Sequence, residues 1–273
     1  MSRMLMDLLR KFGSNCTNLL TALEPAQLLP PADTVSILCV DWHIPSNTLH
    51  VAEVKTESDK RPSIRKLASV AARAYDPFRI VGTVTLQGRL LLHEAFPQCR
   101  SWDAKVPAKT AEAWLGLCEQ LRRCHELAIP RRALFSPGPQ LVLFSDANFD
   151  AYAFILYVVK PTMGKATFLF GKSRLMPKEK KGVMISIPRT KLWAAVATSC
   201  TATLLHRGLA SIVTFGEVTH YIDNAAVLGW LTAGKAPRAY ENHRILELLE
   251  APPRPCFRYI PSAVNPADWL TKP

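Results

Sequence analysis

Three aspartates in the second half of the chain stand where carboxylates can do chemistry. Asp146 closes the run "LVLFSDA", Asp223 closes "VTHYID", and Asp268 falls in "NPADWLTK". The first two runs read as strands. The third reads as the start of a helix with Pro266 in its first turn. Strand ends and a helix start can be gathered at one end of a sheet. Two-metal hydrolysis of a phosphodiester needs hard oxygen ligands converging on two Mg²⁺ ions roughly 4 Å apart, and Mg²⁺ prefers carboxylate and water. Singly, each acid has a plainer role: Asp146 in a turn, Asp223-Asn224 as a helix cap, Asp268 in a first helical turn, where the dipole favours an acid. It is their order and context together that point to a metal.

The elements that must position them follow from periodicity. Residues 141–147, 151–160 and 166–175 are β-rich and make an antiparallel meander. A helix over 191–209, a strand at 218–223, helices at 225–234 and 241–251, a strand at 255–261 and a last helix from 265 complete the order β-β-β-α-β-α-α-β-α. Upstream, residues 4–23 read as two short helices broken at Gly13-Ser14-Asn15, and "LLPPAD" is a linker. "TVSILCVDW" and "TLHVAEVK" read as a hairpin around "HIPSN". Three helices follow, over 63–74 with Ser63 as N-cap, over 83–96, and over 110–127. The first ends at "YDPF", because a residue before proline avoids helical angles. Three prolines and a glycine in "IPRRALFSPGPQ" mark a boundary. The expected units are residues 1–32, 33–138 and 139–273.

Composition bounds the partners. The chain of 273 residues carries 34 Lys and Arg against 22 Asp and Glu, a net +12 and a pI near 9.5, which favours a polyanion. Residues 1–138 hold 18 basic and 13 acidic side chains and residues 139–273 hold 16 and 9, so the charge is no detachable tail. Nine of the basic residues fall in 160–191, beside a single acid, Glu179. Of these, Lys172, Arg174, Lys178, Lys180, Lys181 and Arg189, together with Asn224, are candidate phosphate contacts. Trp193, Trp230 and Trp269 read as core rather than as stacking platforms. Seven cysteines show no paired spacing, and no second pair completes a zinc site around Cys118, Cys124 and His125. They read as reduced, mostly buried thiols of an intracellular protein, nuclear or cytoplasmic. No apolar run approaches the ~20 residues that span a membrane. "MSRMLMDLLRKF" reads as an ordinary first helix rather than a presequence.

The motifs in order carry a resemblance. "FSDANFDAYAFILY", "SIPRTKLWAAV", "YIDNAAVLGWL" and "IPSAVNPADWLTK" resemble the four motifs of retrotransposon ribonuclease H domains, closest to BEL/Pao-type elements with a DIRS-like flavour. "SIRKLASVAARAYDPFRIVGTVTLQGRLLLHEAF" resembles the connection segment that follows a polymerase palm. The resemblance implies an α/β, RNase H-like fold: a five-stranded mixed sheet with flanking helices, preceded by a mostly helical connection- or thumb-like region with a hairpin. It implies Asp146, Asp223 and Asp268 as Mg²⁺ ligands and catalytic residues, and an RNA–DNA hybrid as partner, with a separate palm-bearing polymerase chain as a further one.

Two departures qualify this. No Tyr-x-Asp-Asp motif is present, so polymerase activity is not expected. The family's helix Glu aligns with Lys191, which removes a ligand and sets a cation beside the site. At 4 Å and an effective dielectric of 20 a unit charge is worth about 4 kcal/mol, and a divalent ion doubles that. The expectation is therefore nucleic-acid binding with impaired hydrolysis. The alternative is a catalytically dead structural or interaction module.

Overall fold

The computed structural model describes residues 21, 33–37, 39–56, 59–131, 138–160, 162, 164–177 and 185–272. The helices expected within 4–23 and the side chains of Lys178, Lys180 and Lys181 lie outside the described residues.

The upstream region is more β-rich than expected. β1 (Thr34–Ile37), β2 (Val40–His43) and β3 (Thr48–Val51) form a meander, and β4 (Ile129–Pro130) adds to β3 in the order β1-β2-β3-β4. "TVSILCVDW" is thus two strands rather than one. The chain turns at Cys39, whose φ of 58° is left-handed, and periodicity alone carries no mark for such a turn.

α1 (Ile64–Arg73) starts at Ser63, whose Oγ accepts from the Lys66 amide at 3.3 Å, the expected cap. Its buried face, Ile64, Leu67 and Val70, packs on α2 (Gly82–Ala95) and α3 (Ala108–Arg123) around Trp114, Leu117 and Leu121. Full burial of such side chains is worth about 1.5–3 kcal/mol each.

Between α1 and α2, buried Asp76 accepts the amides of Ile80 (2.9 Å) and Val81 (2.8 Å). That fixes a turn in which Arg79 takes a left-handed φ of 62°. Burial pushes the Asp76 carboxyl above its ordinary value, against those amides.

The second sheet runs β7-β6-β5-β8-β9. β5 (Gln140–Ala147), β6 (Ala151–Lys160) and β7 (Lys165–Leu175) are antiparallel neighbours. β8 (Val218–Ile222) pairs parallel with β5, and β9 (Cys256–Tyr259) parallel with β8. Residues Ala151–Leu156 of β6 are all buried, because both faces of the sheet are covered. On one face α4 (Ile187–Leu209) packs on Leu141, Leu143, Phe154 and Leu156. α5 (Ala225–Ala233) and α6 (Ala239–Glu250) pack beside it around Ile245, Leu248 and Val227. On the other face Ala153 and Ile155 meet Leu270.

Two boundaries differ from the periodicity reading. α4 begins at Ile187, four residues early, because Pro188 sits in its first turn, where no amide donor is needed. This places Lys191 at the start of the second turn. The expected last helix is only a 3₁₀ turn at Asp268–Leu270, after another at Ser262–Val264. Gly234 caps α5 in the left-handed region, with φ 66°. Of the described cysteines, Cys118 and Cys124 are buried, Cys99 is intermediate, and Cys39, Cys200 and Cys256 are exposed, so burial is less general than expected.

Candidate functional site

Parallel pairing of β5 with β8 sets Ser145 opposite Ile222, so Asp146 and Asp223 stand side by side at the next step. Adjacent strands are about 4.8 Å apart, which alone brings two carboxylates together. Asp268 arrives on the C-terminal segment, which is latched across the sheet end. Buried Asn265 donates from Nδ2 to the Ser145 carbonyl (3.0 Å) and accepts the Ala267 amide (3.1 Å). Asn148 donates from Nδ2 to the Thr271 carbonyl at 3.0 Å. One oxygen from each of Asp146, Asp223 and Asp268 lies within 4.8 Å of the others.

The fourth residue is Lys191. Its Nζ donates to Asp146 Oδ1 and, at 2.8 Å, to Asp223 Oδ2. The lysine side chain is 13% exposed, and those of Asp146 and Asp223 are 1% and 0% exposed. Thr271 Oγ1 donates to the other oxygen of Asp146, and Ser262 Oγ donates to Asp223 Oδ2 at 2.7 Å. Asp268 is paired with Lys272 at 2.6 Å, one helical turn on.

Burial is the largest influence on all three central groups, and the ion pair opposes it. Asp146 ends above its ordinary value despite the hydrogen bonds from Lys191 and Thr271. Asp223 ends below its ordinary value, because the lysine and Ser262 outweigh burial there. Lys191 ends above the ordinary lysine value, held charged by both acids. The same ammonium serves both carboxylates and each accepts one further hydroxyl, so the directions differ because Asp146 is the more deeply buried and is also raised by the neighbouring Asp223.

RNase H-like folds point to divalent-metal chemistry, and this chain has a carboxylate cluster of that kind. The residues present do not fit a two-ion site. Mg²⁺ would sit about 2.0–2.1 Å from its oxygens, and the space between Asp146 and Asp223 is taken by the lysine ammonium. Three carboxylates paired with two lysines leave one net negative charge, too little to hold two divalent ions. One buried oxygen, Asp223 Oδ1, has no hydrogen-bond partner and is the feature besides the cluster itself that speaks for a cation.

The expected phosphate contacts among the described residues sit on three elements. Lys172 and Arg174 lie on edge strand β7. Arg189, in the first turn of α4, stacks on Tyr240 at 4.2 Å. Asn224 is the N-cap of α5, its Oδ1 accepting the Val227 amide. Trp269, beside Asp268, is 70% exposed and Trp193 is 37% exposed, so neither is core as expected, while Trp230 packs against the α4–α6 cluster. Sequence reasoning assigned no role to Asn265, Thr271, Ser262 or Lys272. The nearest signal was "NPADWLTK", in which Asn265, Thr271 and Lys272 all lie.

The fold and this cluster define an RNase H-like module. The family model described as "Pao retrotransposon-like RNaseH-like domain" matches residues 63–224, more than half of the chain, and the chain belongs to that family. The match spans Asp146, Lys191 and Asp223 and stops before Asp268.

The foamy viral protease-reverse transcriptase in complex with double-stranded DNA is similar at TM-score 0.53 and 14% identity, over 84% of this chain and 45% of that one. Its dRH form in complex with double-stranded DNA is similar at TM-score 0.53 and 13% identity, over 83% and 38%. The chain therefore spans less than half of either polypeptide, and the likeness shows the fold. LC11-RNase H1, isolated from compost by a metagenomic approach, matches at TM-score 0.36 and 13% identity over 50% of this chain and 93% of that one. No curated protein matches by sequence. No helix among the described residues is long and apolar enough to cross a membrane.

Proposed function

We propose that this chain is a retroelement-derived RNase H-like module that binds nucleic acid, RNA–DNA hybrid foremost, and has lost most or all Mg²⁺-dependent RNA hydrolysis. In this reading residues 33–138 act as a connection-like unit and residues 139–273 as the RNase H-like unit. Asp146, Asp223 and Asp268 are the descendants of metal ligands, and Lys191 stands for the missing Glu. The observation that carries the proposal is the Lys191 ammonium between Asp146 and Asp223. The net charge of +12 supports a polyanionic partner.

The test is cleavage of a labelled RNA–DNA hybrid in Mg²⁺ by the parent chain and by Lys191→Glu, alongside binding over a salt series. The parent should bind, with affinity falling steeply in salt, and should not cleave. Lys191→Glu should gain cleavage. Efficient cleavage by the parent overturns the blocked-site reading. No binding at low salt removes the nucleic-acid reading and favours a structural or interaction module.

A further inference from the structure

We infer that the seam between α2 and edge strand β7 is a phosphate-binding site, formed by Arg79, Arg89, Lys172 and Arg174, that grips the backbone of a nucleic-acid strand two strand-widths from the carboxylates. This deepens the nucleic-acid reading above and rests on it.

The seam is built from both sides of one strand. Lys172 and Arg174 alternate with Ser173, and they share a face with Phe170, which packs into the cluster beneath α4. Ser173 faces the other way and donates from Oγ to the Gly82 carbonyl at 3.1 Å. From that side Arg89 donates through Nη1 to the Ser173 carbonyl at 3.1 Å. The Phe78 carbonyl accepts the Gly171 amide at 3.1 Å, which lays Arg79 against the edge. A Cβ built on Gly171 would lie 3.5 Å from the Cβ of Arg79. Beside the seam, a cleft of about 560 Å³ lies between α1 and α2, lined by Tyr75, Asp76, Arg79 and Arg89.

Four cations gathered in this way repel one another, and no described residue neutralises them. Among the described residues none of the four has a carboxylate within ion-pair distance. Asp76, the acid that acts on Arg79 and Arg89, has both oxygens committed to backbone amides. The arginine and lysine proton affinities register the crowding. Burial and then Arg79 and Arg174 hold Arg89 below its ordinary value, and burial, Arg174 and Arg79 do the same to Lys172. Arg79 also takes a left-handed φ of 62°, where a glycine would be unstrained. An uncompensated cluster of three guanidiniums and an ammonium is a receptor for a multiply charged oxyanion.

Position selects the anion. In the strand register Asp146 pairs with Ala153 and Ala153 with Ser173, so the three lie in one row across the sheet. Two strand spacings separate Ser173 from Asp146, about 10 Å. A nucleic-acid strand lying along this end of the sheet reaches both places, whereas a small free anion gains nothing from the second. The seam also joins the helical region to the sheet, so one ligand would touch both.

The experiment measures binding of a fluorescent RNA–DNA hybrid to the full chain over a salt series. It compares the parent, Arg174→Ser, the double variant Arg79→Gly with Arg174→Ser, and Arg207→Ser, an exposed control at the far end of α4. Arg174 is exposed, and glycine removes the strain at 79, so the variants should melt no lower than the parent. The double variant should lose affinity on the order of tenfold at low salt, and its slope of log K against log salt should flatten by about 0.9 for each phosphate no longer neutralised. Arg207→Ser should change neither. If the parent binds and the double variant matches Arg207→Ser in affinity and slope, the seam site is wrong while the nucleic-acid reading stands. If the parent itself does not bind, that reading fails and takes the seam with it.

Discussion

Replacing Lys191 with methionine tests the site without adding a new charge. The substitution keeps most of the side chain's volume and removes an ammonium that donates to two carboxylates, themselves 1% and 0% exposed. Removing one partner of a buried pair costs about 3–5 kcal/mol, because the charge left behind is uncompensated. Here two charges are left, so the upper part of that range is expected at pH 7.

The pH dependence has a definite sign. In the parent, Asp223 titrates below its ordinary value, so the stability it contributes is present above that value and is lost as pH falls through the depressed pKa. In the variant both acids lose their cation, and burial raises them. A raised carboxyl favours the folded state below its unfolded pKa, and that contribution is lost as pH rises. The stability gap between parent and variant should therefore be widest near pH 7 and should close on acidification toward pH 4.

Urea unfolding at several pH values measures the gap, and a repeat with Mg²⁺ separates charge from metal. The parent should gain nothing from Mg²⁺. The variant should recover up to about 2.7 kcal/mol at a hundredfold excess over its dissociation constant. A loss under about 1 kcal/mol, or a parent stabilised by Mg²⁺, would refute the claim that the lysine stands in the ion's place.

Two further outcomes are expected elsewhere. His220 is fully buried against Ser145 (3.0 Å), and burial pushes its pKa down to about 3. The unfolded chain takes up this proton first, so between about pH 6.5 and pH 3 the residue should cost about 1.4 kcal/mol of stability per unit of acidification. That slope should be absent in His220→Gln when stability is followed by urea unfolding. Gly88→Ala should destabilise the helical region by about 1 kcal/mol, since a steric cost of 1–3 outweighs a helix-propensity gain near 1. The new Cβ would meet that of Ala71 at 2.9 Å. Gly116→Ala, with nothing within 4 Å, should stabilise by up to about 1 kcal/mol, and thermal melts of the pair give the contrast.

The RNase H-like order was legible because it rests on local pattern, and Lys191 was placed with the three aspartates by the resemblance of the motifs. Strand runs carry alternation or continuous burial, helix faces carry the 3.6 period, and parallel pairing of β5 with β8 then sets Asp146 beside Asp223. What was not legible depends on contacts between distant residues. The double role of Asp76 needs the turn it closes, and "YDPF" shows only where the helix before it stops. The exposure of Trp269 follows from a 3₁₀ turn in place of a helix, a difference no single window contains. The fourth strand is two residues long, too short for any period. Arg79 and Arg89 lie in a segment whose charge is unremarkable in one dimension. They become a patch only when Phe78 pairs with Gly171.

The carboxylates also hold the chain's closing segment in place. Asp146 accepts from Thr271 and Asp223 from Ser262, and the ammonium between them donates to both acids. Restoring an acid at 191 would gather four carboxylates where three and a lysine now sit. Without a metal that change should loosen the segment 262–271 from the sheet end. With Mg²⁺ the ion would have to replace what the lysine supplied. The lysine thus makes this end of the fold independent of metal, and Lys191→Glu would make metal a condition of folding there as well as of cleavage. A failure of Lys191→Glu to cleave is informative only when its fold has been checked with Mg²⁺ present throughout.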